Sequence, residues 1–246
     1  MTRVRADQLC VSQGLCQSRT TAQRLIADSQ IVLPDGTPVR KAGQTLEDSV
    51  QLIALSGLQY VSRGAFKLLG ALEAFPHTMT DVGAMDVGAS TGGFTDVLLQ
   101  RGAKCVFAVD VGTDQLHPSL KADKRVISLE QTNARQLTRQ LVPLPIDVLV
   151  ADVSFISLTK VLPPCADLLA EKAWIAVLVK PQFEAEPSDV GKNGVVHSVE
   201  VRERCVRKIT EFAVEQLGWT LVGTVPSPIL GPQGNQEYLA VFTKGQ

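Results

Sequence analysis

Three apolar runs each end in an ionisable side chain. Asp110 follows Cys105-Val106-Phe107-Ala108-Val109, Asp152 follows Ile146-Asp147-Val148-Leu149-Val150-Ala151, and Lys180 follows Trp174-Ile175-Ala176-Val177-Leu178-Val179. Thr132-Asn133 follow the run ending at Leu129 after two further residues. Runs of this length and composition predict buried strands. In an open parallel sheet, ligands lie beyond the carboxyl ends of the strands. A lysine and a carboxylate at such a rim can move a proton, orient a nucleophile or hold a developing charge. For Asp152, capping a following helix is the plainer alternative.

The cofactor end of such a sheet is predicted at Asp86-Val87-Gly88-Ala89-Ser90-Thr91-Gly92-Gly93-Phe94-Thr95-Asp96. Met85 to Val87 read as the end of a strand. Gly88, Gly92 and Gly93 make a loop in which the backbone can turn tightly and approach a ligand. Thr95 to Gln100 begin a helix that Gly102 stops. Strand, glycine-rich turn and helix form the first half of a Rossmann-type nucleotide site, with Asp110 placed to meet ribose hydroxyls. The spacing Asp-x-Gly-x-x-x-Gly-Gly differs from the dinucleotide pattern, and no Lys-Ser/Thr follows as in a P-loop. A nucleoside without a pyrophosphate fits better, and S-adenosylmethionine leads the candidates.

The elements that must position these residues alternate along the chain. Strands are expected at 84–88, 105–109, 125–129, 146–151, 174–179, 219–225 and 237–243, with helices between them. The fold class is therefore α/β, a doubly wound Rossmann-like sheet behind a small N-terminal α+β module. That module covers residues 1–57, and the sheet domain covers 58–246. In the module, Ala6 to Gly14 and Arg19 to Ala27 predict helices, the second capped by Ser18. Ile31 to Leu33, a turn at Pro34-Asp35-Gly36-Thr37 and Val39 predict a hairpin, and Val50 to Leu55 a short strand. Arg63 lies in the joining segment. A helix from there to about Phe75 carries Leu68, Leu69 and Leu72 inward, which puts Lys67 one step off the apolar face.

The totals narrow the function classes. The chain has 246 residues, 45% of them hydrophobic, and a net charge of −1. Its mean hydropathy of +0.12 fits a filled core. No apolar run approaches the roughly 18 residues that span a bilayer. The start Met-Thr-Arg-Val-Arg-Ala-Asp carries no apolar segment behind its charges, so a cytoplasmic protein without membrane attachment is expected. Five cysteines without a Cys-x-x-Cys pair predict free thiols and no metal site. With so little net charge, any nucleic-acid contact must come from a local patch.

Several stretches carry a resemblance. Gly14-Leu15-Cys16-Gln17-Ser18-Arg19, Ala22, Leu25-Ile26, Val32 and Asp35-Gly36 are similar to the small RNA-binding domain shared by a small-subunit ribosomal protein and pseudouridine synthases. Ser29 stands where that pattern has glycine. The glycine loop, Asp-Val-Ser-Phe-Ile-Ser-Leu (152–158), Leu-Val-Lys-Pro-Gln-Phe-Glu (178–184), Ser-Pro-Ile (227–229) and Gly-Asn-Gln-Glu-Tyr-Leu (234–239) resemble the TlyA family over nearly the whole chain. That family comprises ribosomal RNA 2′-O-methyltransferases, some of which were first named haemolysins.

The sheet domain also resembles the FtsJ-type 2′-O-methyltransferases, whose Lys-Asp-Lys-Glu tetrad falls on Lys67, Asp152, Lys180 and Glu237. The resemblance implies a final strand inserted antiparallel and S-adenosylmethionine as cofactor. It places Gly88, Ser90, Gly92, Gly93 and Phe94 along the methionine and ribose, Asp110 on the ribose hydroxyls, Asn133 at the adenine edge and Asp152 close by. Arg3, Arg5, Ser18, Arg19, Arg24 and Arg63 are the candidate RNA contacts, with ribosomal RNA or ribosomal subunits as partners and cytidine as the expected nucleotide.

Lys180 could take a 2′-hydroxyl proton only as the neutral amine, which burial and the Lys67 ammonium favour and the two carboxylates oppose. As an ammonium it would instead stabilise alkoxide. Competing expectations are a haemolysin-like membrane-active protein, a non-catalytic RNA-binding assembly factor and, more distantly, a nicotinamide dehydrogenase.

Overall fold

The computed structural model describes residues 3–16, 18–28, 30–33, 37–54 and 60–245. The chain forms two compact units, Met1–Arg63 and Gly64–Gln246. The expected boundary at 57/58, the turn residues Pro34-Asp35-Gly36, and Gln17, Ser29 and Leu55 lie outside the described residues.

In the first unit, β1 (Arg3–Arg5) leads into α1 (Ala6–Ser12), and α2 (Arg19–Ala27) follows. Ser18 is extended, and its hydroxyl accepts the Thr21 N–H at 3.2 Å, satisfying one of the donors that a helix start leaves unpaired. Ala6, Leu9, Cys10, Ala22, Leu25, Ile26, Ile31, Val39 and Leu52 close a small core. The two arms of the expected hairpin do pair: the Leu33 N–H donates to the Thr37 carbonyl at 2.8 Å, the Val39 N–H donates to the Ile31 carbonyl at 2.9 Å, and Val32 bridges Pro38. Proline has no N–H with which to extend the ladder, so Val32 and Pro38 form a bridge and not a longer strand, and Val39 beside it is fully buried. β2 (Ile31–Val32) also pairs antiparallel with β4 (Ile53–Ala54). A second pairing, β1 with β3 (Thr45–Glu47), has too short a pattern to be read from sequence.

The second unit is one seven-stranded sheet. Its elements are α3 (Gly64–Ala74), β5 (Gly83–Val87), α4 (Gly93–Gln100), β6 (Cys105–Val109), α5 (Pro118–Lys121), β7 (Val126–Leu129), β8 (Ile146–Ala151), α6 (Leu158–Ala166), β9 (Leu169–Val179), α7 (Pro181–Glu184), α8 (Val199–Leu217), β10 (Thr220–Pro226) and β11 (Tyr238–Lys244). The strand order is β10-β11-β9-β8-β5-β6-β7, and the pairings from β7 to β9 are parallel. β11 lies antiparallel between β9 and β10, as expected. Every residue of β5 is buried, and so are Trp174 to Val179 of β9, because helices cover both faces of a parallel sheet and leave no solvent side to alternate with. β9 begins five residues earlier than its apolar run, at a start that includes the exposed Glu171 and Lys172.

Candidate active site

The register of the sheet brings distant residues to one rim. Ala151 pairs with Val177, and Val179 pairs with Tyr238. The residues just beyond those pairs are Asp152, Lys180 and, on the antiparallel strand, Glu237. α3 contributes Lys67 to the same place. Lys67 Nζ donates to Glu237 Oε2 at 2.8 Å and to Asp152 Oδ2 at 3.3 Å. Lys180 Nζ pairs with Asp152 Oδ1 at 2.5 Å. Asp152 therefore bridges the two lysine nitrogens. Lys67, Lys180 and Glu237 are all buried, at 8%, 7% and 0% exposure, so the groups of this cluster interact with little screening by water.

Burial opposes the Lys67 charge, but the carboxylates of Asp152 and Glu237 outweigh it and raise its pKa, so Lys67 is held as a cation. The carboxylate of Glu237 is cradled on its other side. Gln182 Nε2 donates to Oε1 at 3.2 Å, and a Cβ at Gly231 would stand 2.2 Å from that oxygen. Gly231 thus makes room for the carboxylate.

A cavity of about 290 Å³ opens beside this cluster, close to the roughly 300 Å³ at which small-molecule sites begin. Gly88, Ser90, Asp110, Asn133 and Asp152 line it, together with Val111, Thr132, Ser154 and Phe155. Asp110 Oδ2 accepts the Ser90 N–H at 2.8 Å, and Oδ1 accepts the Gly112 N–H at 2.7 Å, which fixes the carboxylate at the end of β6. Asn133 Oδ1 accepts the Arg135 N–H at 3.0 Å and so starts a short helical turn.

Gly92, Gly93 and Phe94 are not among the lining residues; they are buried at the start of α4. A Cβ on Gly92 would meet Leu120 Cδ1 at 2.2 Å, so that glycine is needed for packing against α5. Gly88 does face the cavity. Its missing Cβ makes room for the Asp152 carbonyl, 2.4 Å from where it would stand, and its φ of +83° suits glycine.

Asp86, two residues before Gly88, accepts from Thr95 N at 2.8 Å and from Thr95 Oγ1 at 2.7 Å. Burial pushes its carboxyl up to about 7, Thr95 pulls it down, and the charges of Asp152 and Asp110 push it further up.

Sequence reasoning missed Ser154 and Phe155 as rim residues. Phe155 is 90% exposed and sits at φ +64°, a conformation uncommon outside glycine and asparagine. Its ring lies 5.0 Å from that of Phe183. An aromatic directly after Asp152-Val153-Ser154, just beyond the strand end, was the available signal.

The candidate RNA residues lie in the first unit. Asp7 there is fully buried and receives Arg5 at 3.0 Å, Arg19 at 3.1 Å and Gln23 at 3.0 Å. The Arg5 guanidinium above all holds its carboxyl far below the usual range. Arg5 and Arg19 still leave about half of each side chain in solvent, at 44% and 52%. Arg3 and Arg24 are exposed and Arg63 is half-buried, while the Ser18 hydroxyl is engaged in capping. Among the described residues, no cluster of His, Cys, Asp and Glu could hold a metal.

The model of the FtsJ-like methyltransferase family matches residues 60–244. The 16S/23S rRNA (cytidine-2′-O)-methyltransferase TlyA of Mycobacterium tuberculosis H37Rv is 46% identical over 238 residues, covering 96% of this chain and 88% of that protein. Hemolysin A of Brachyspira hyodysenteriae is 38% identical over 240 residues, covering 97% and 99%. Among solved structures, a putative hemolysin from Streptococcus thermophilus superposes with a TM-score of 0.77 at 41% identity, covering 99% of this chain and 89% of that one.

Proposed function

The chain belongs to the FtsJ-like methyltransferase family and to the relatives of TlyA within it, and we propose that it methylates ribose 2′-hydroxyls of cytidines in ribosomal RNA in the cytoplasm. As a member of that family it is an enzyme that uses S-adenosylmethionine. The observation that carries the reading is the position of Asp152, which lines the cavity and at the same time pairs with both Lys67 and Lys180. An acid–base cluster and a nucleoside-sized cavity thus share one residue.

Gly88, Ser90, Asp110, Asn133 and Asp152 would hold the cofactor, which supplies an electrophilic methyl group carried on a sulfonium. Lys180, as the neutral amine, would take up the proton of the ribose 2′-hydroxyl as that oxygen accepts the methyl group and the methyl–sulfur bond breaks. Lys67, fixed as a cation, holds Asp152 and Glu237 in place. Phe155 offers a face on which a base turned out of its stack can rest. In the first unit, Arg3, Arg5, Arg19, Arg24 and Arg63, with Ser18 at the start of α2, supply the local phosphate contacts that a net charge of −1 requires.

The test is methyl transfer from labelled S-adenosylmethionine to ribosomal subunits from cells lacking the protein, followed by mapping of 2′-O-methyl groups. New methylation at ribose of cytidine is expected; none on either subunit would overturn the proposal. The name hemolysin among the relatives calls for a leakage assay on liposomes. Among the described residues no helix is long and apolar enough to cross a membrane.

A further inference from the structure

The ion pairs leave a hydrogen bond of Lys180 unaccounted for, beside the Phe183 ring that lies 5.9 Å from its nitrogen. Besides its pair with Asp152 Oδ1 at 2.5 Å, Lys180 Nζ donates to Ser154 Oγ at 2.8 Å. Ser154 lines the cavity, and Lys180 is not among the lining residues. The hydroxyl therefore stands where the buried lysine meets the cofactor space. Directly after it, Phe155 turns the chain through a φ of +64°, which bulky residues rarely adopt. Strained backbone of this kind persists where surrounding structure holds a side chain for use. Capping does not explain Ser154, because Ser157 is the residue that caps α6.

A lysine nitrogen has three directions besides its bond to Cε. Asp152 and Ser154 occupy two of them, so the third is fixed in space. With Asp152 alone, the nitrogen could turn about the Cε–Nζ bond and present either remaining direction to the substrate. We infer that Ser154 is a positioning residue for methyl transfer, locking the rotation of Lys180 so that its free valence meets the 2′-oxygen. The other charged groups of the cluster, Lys67 and Glu237, reach Lys180 only through Asp152. This inference rests on the function proposed above.

Ser154 is exposed, so its substitution should leave the fold intact. Ser154→Ala is expected to lower kcat on ribosomal subunits about 10- to 100-fold, the range of a lost hydrogen bond to a charged group. The KM for S-adenosylmethionine should stay within about twofold, and Ser154→Thr, which keeps the hydroxyl, should recover most of the rate. The inference is overturned if Ser154→Ala keeps its kcat, if the loss falls on the cofactor KM alone, or if Ser154→Thr recovers nothing. A wild-type protein that methylates no subunit would refute the proposed function instead, and this inference with it.

Discussion

Lys67 and Glu237 stand 170 residues apart in the chain and meet in a 2.8 Å ion pair whose carboxylate is fully buried. Such a pair is costly to break from one side, because the partner left behind is a buried charge without compensation. Lys67→Ala is therefore expected to lower the unfolding free energy by roughly 3–5 kcal/mol and to abolish methyl transfer. Urea titration of wild type and variant checks the first part. Equal midpoints would mean that Glu237 finds another partner.

Lys180 lies behind Asp152 and Ser154 and outside the cavity lining. Lys180→Ala should accordingly remove methyl transfer, with a loss of at least about 100-fold, while the affinity for S-adenosylmethionine changes little. Calorimetric titration of the cofactor, set beside the rate on subunits, separates the two effects. A variant that methylates at the normal rate would remove Lys180 from the chemistry.

Gly231 has no catalytic atom of its own, yet a methyl group there would overlap Glu237 Oε1. Gly231→Ala should push the carboxylate off Gln182 and Lys67 and lower kcat about tenfold or more, as small displacements at a reacting centre do. The cofactor KM should stay nearly unchanged. Full activity would show that Glu237 can shift without consequence.

Asp86 couples stability to pH. Its carboxyl titrates at about 7 in the folded protein, against about 4 in an unfolded chain. The folded state thus keeps a proton that the unfolded chain has already released. The stability this group contributes is fully present below about pH 4 and is lost as pH rises through about 7. Asp86→Asn, which keeps an oxygen for Thr95 but cannot ionise, should gain stability relative to wild type as pH increases from 5 to 8. Parallel pH–stability curves for the two proteins would count against this account.

Much of this was legible in the chain because it is decided within a few residues. Ser18 caps α2 by reaching Thr21, three positions on, and the sequence displays both partners together. The strands of the sheet announced themselves as apolar runs, since burial on both faces leaves no polar alternation. The rim itself followed, because an ionisable residue placed after such a run has nowhere to go but the strand end.

Other features were out of reach. Helical spacing put Lys67 one step from the apolar face of α3, and only the arrival of Asp152 and Glu237, 85 and 170 positions away, makes its burial tolerable. Gly92 reads in the chain as a ligand-facing glycine, but the side chains of Leu116 and Leu120 fill the space beside it. The hydroxyl of Ser154 gains its meaning from Lys180, on the neighbouring strand. The sequence by itself determined the elements and the residue types at their ends, because backbone preference and burial period act locally. Which of those ends share one charge cluster was decided by strand order and register, contacts between distant segments for which no local pattern exists.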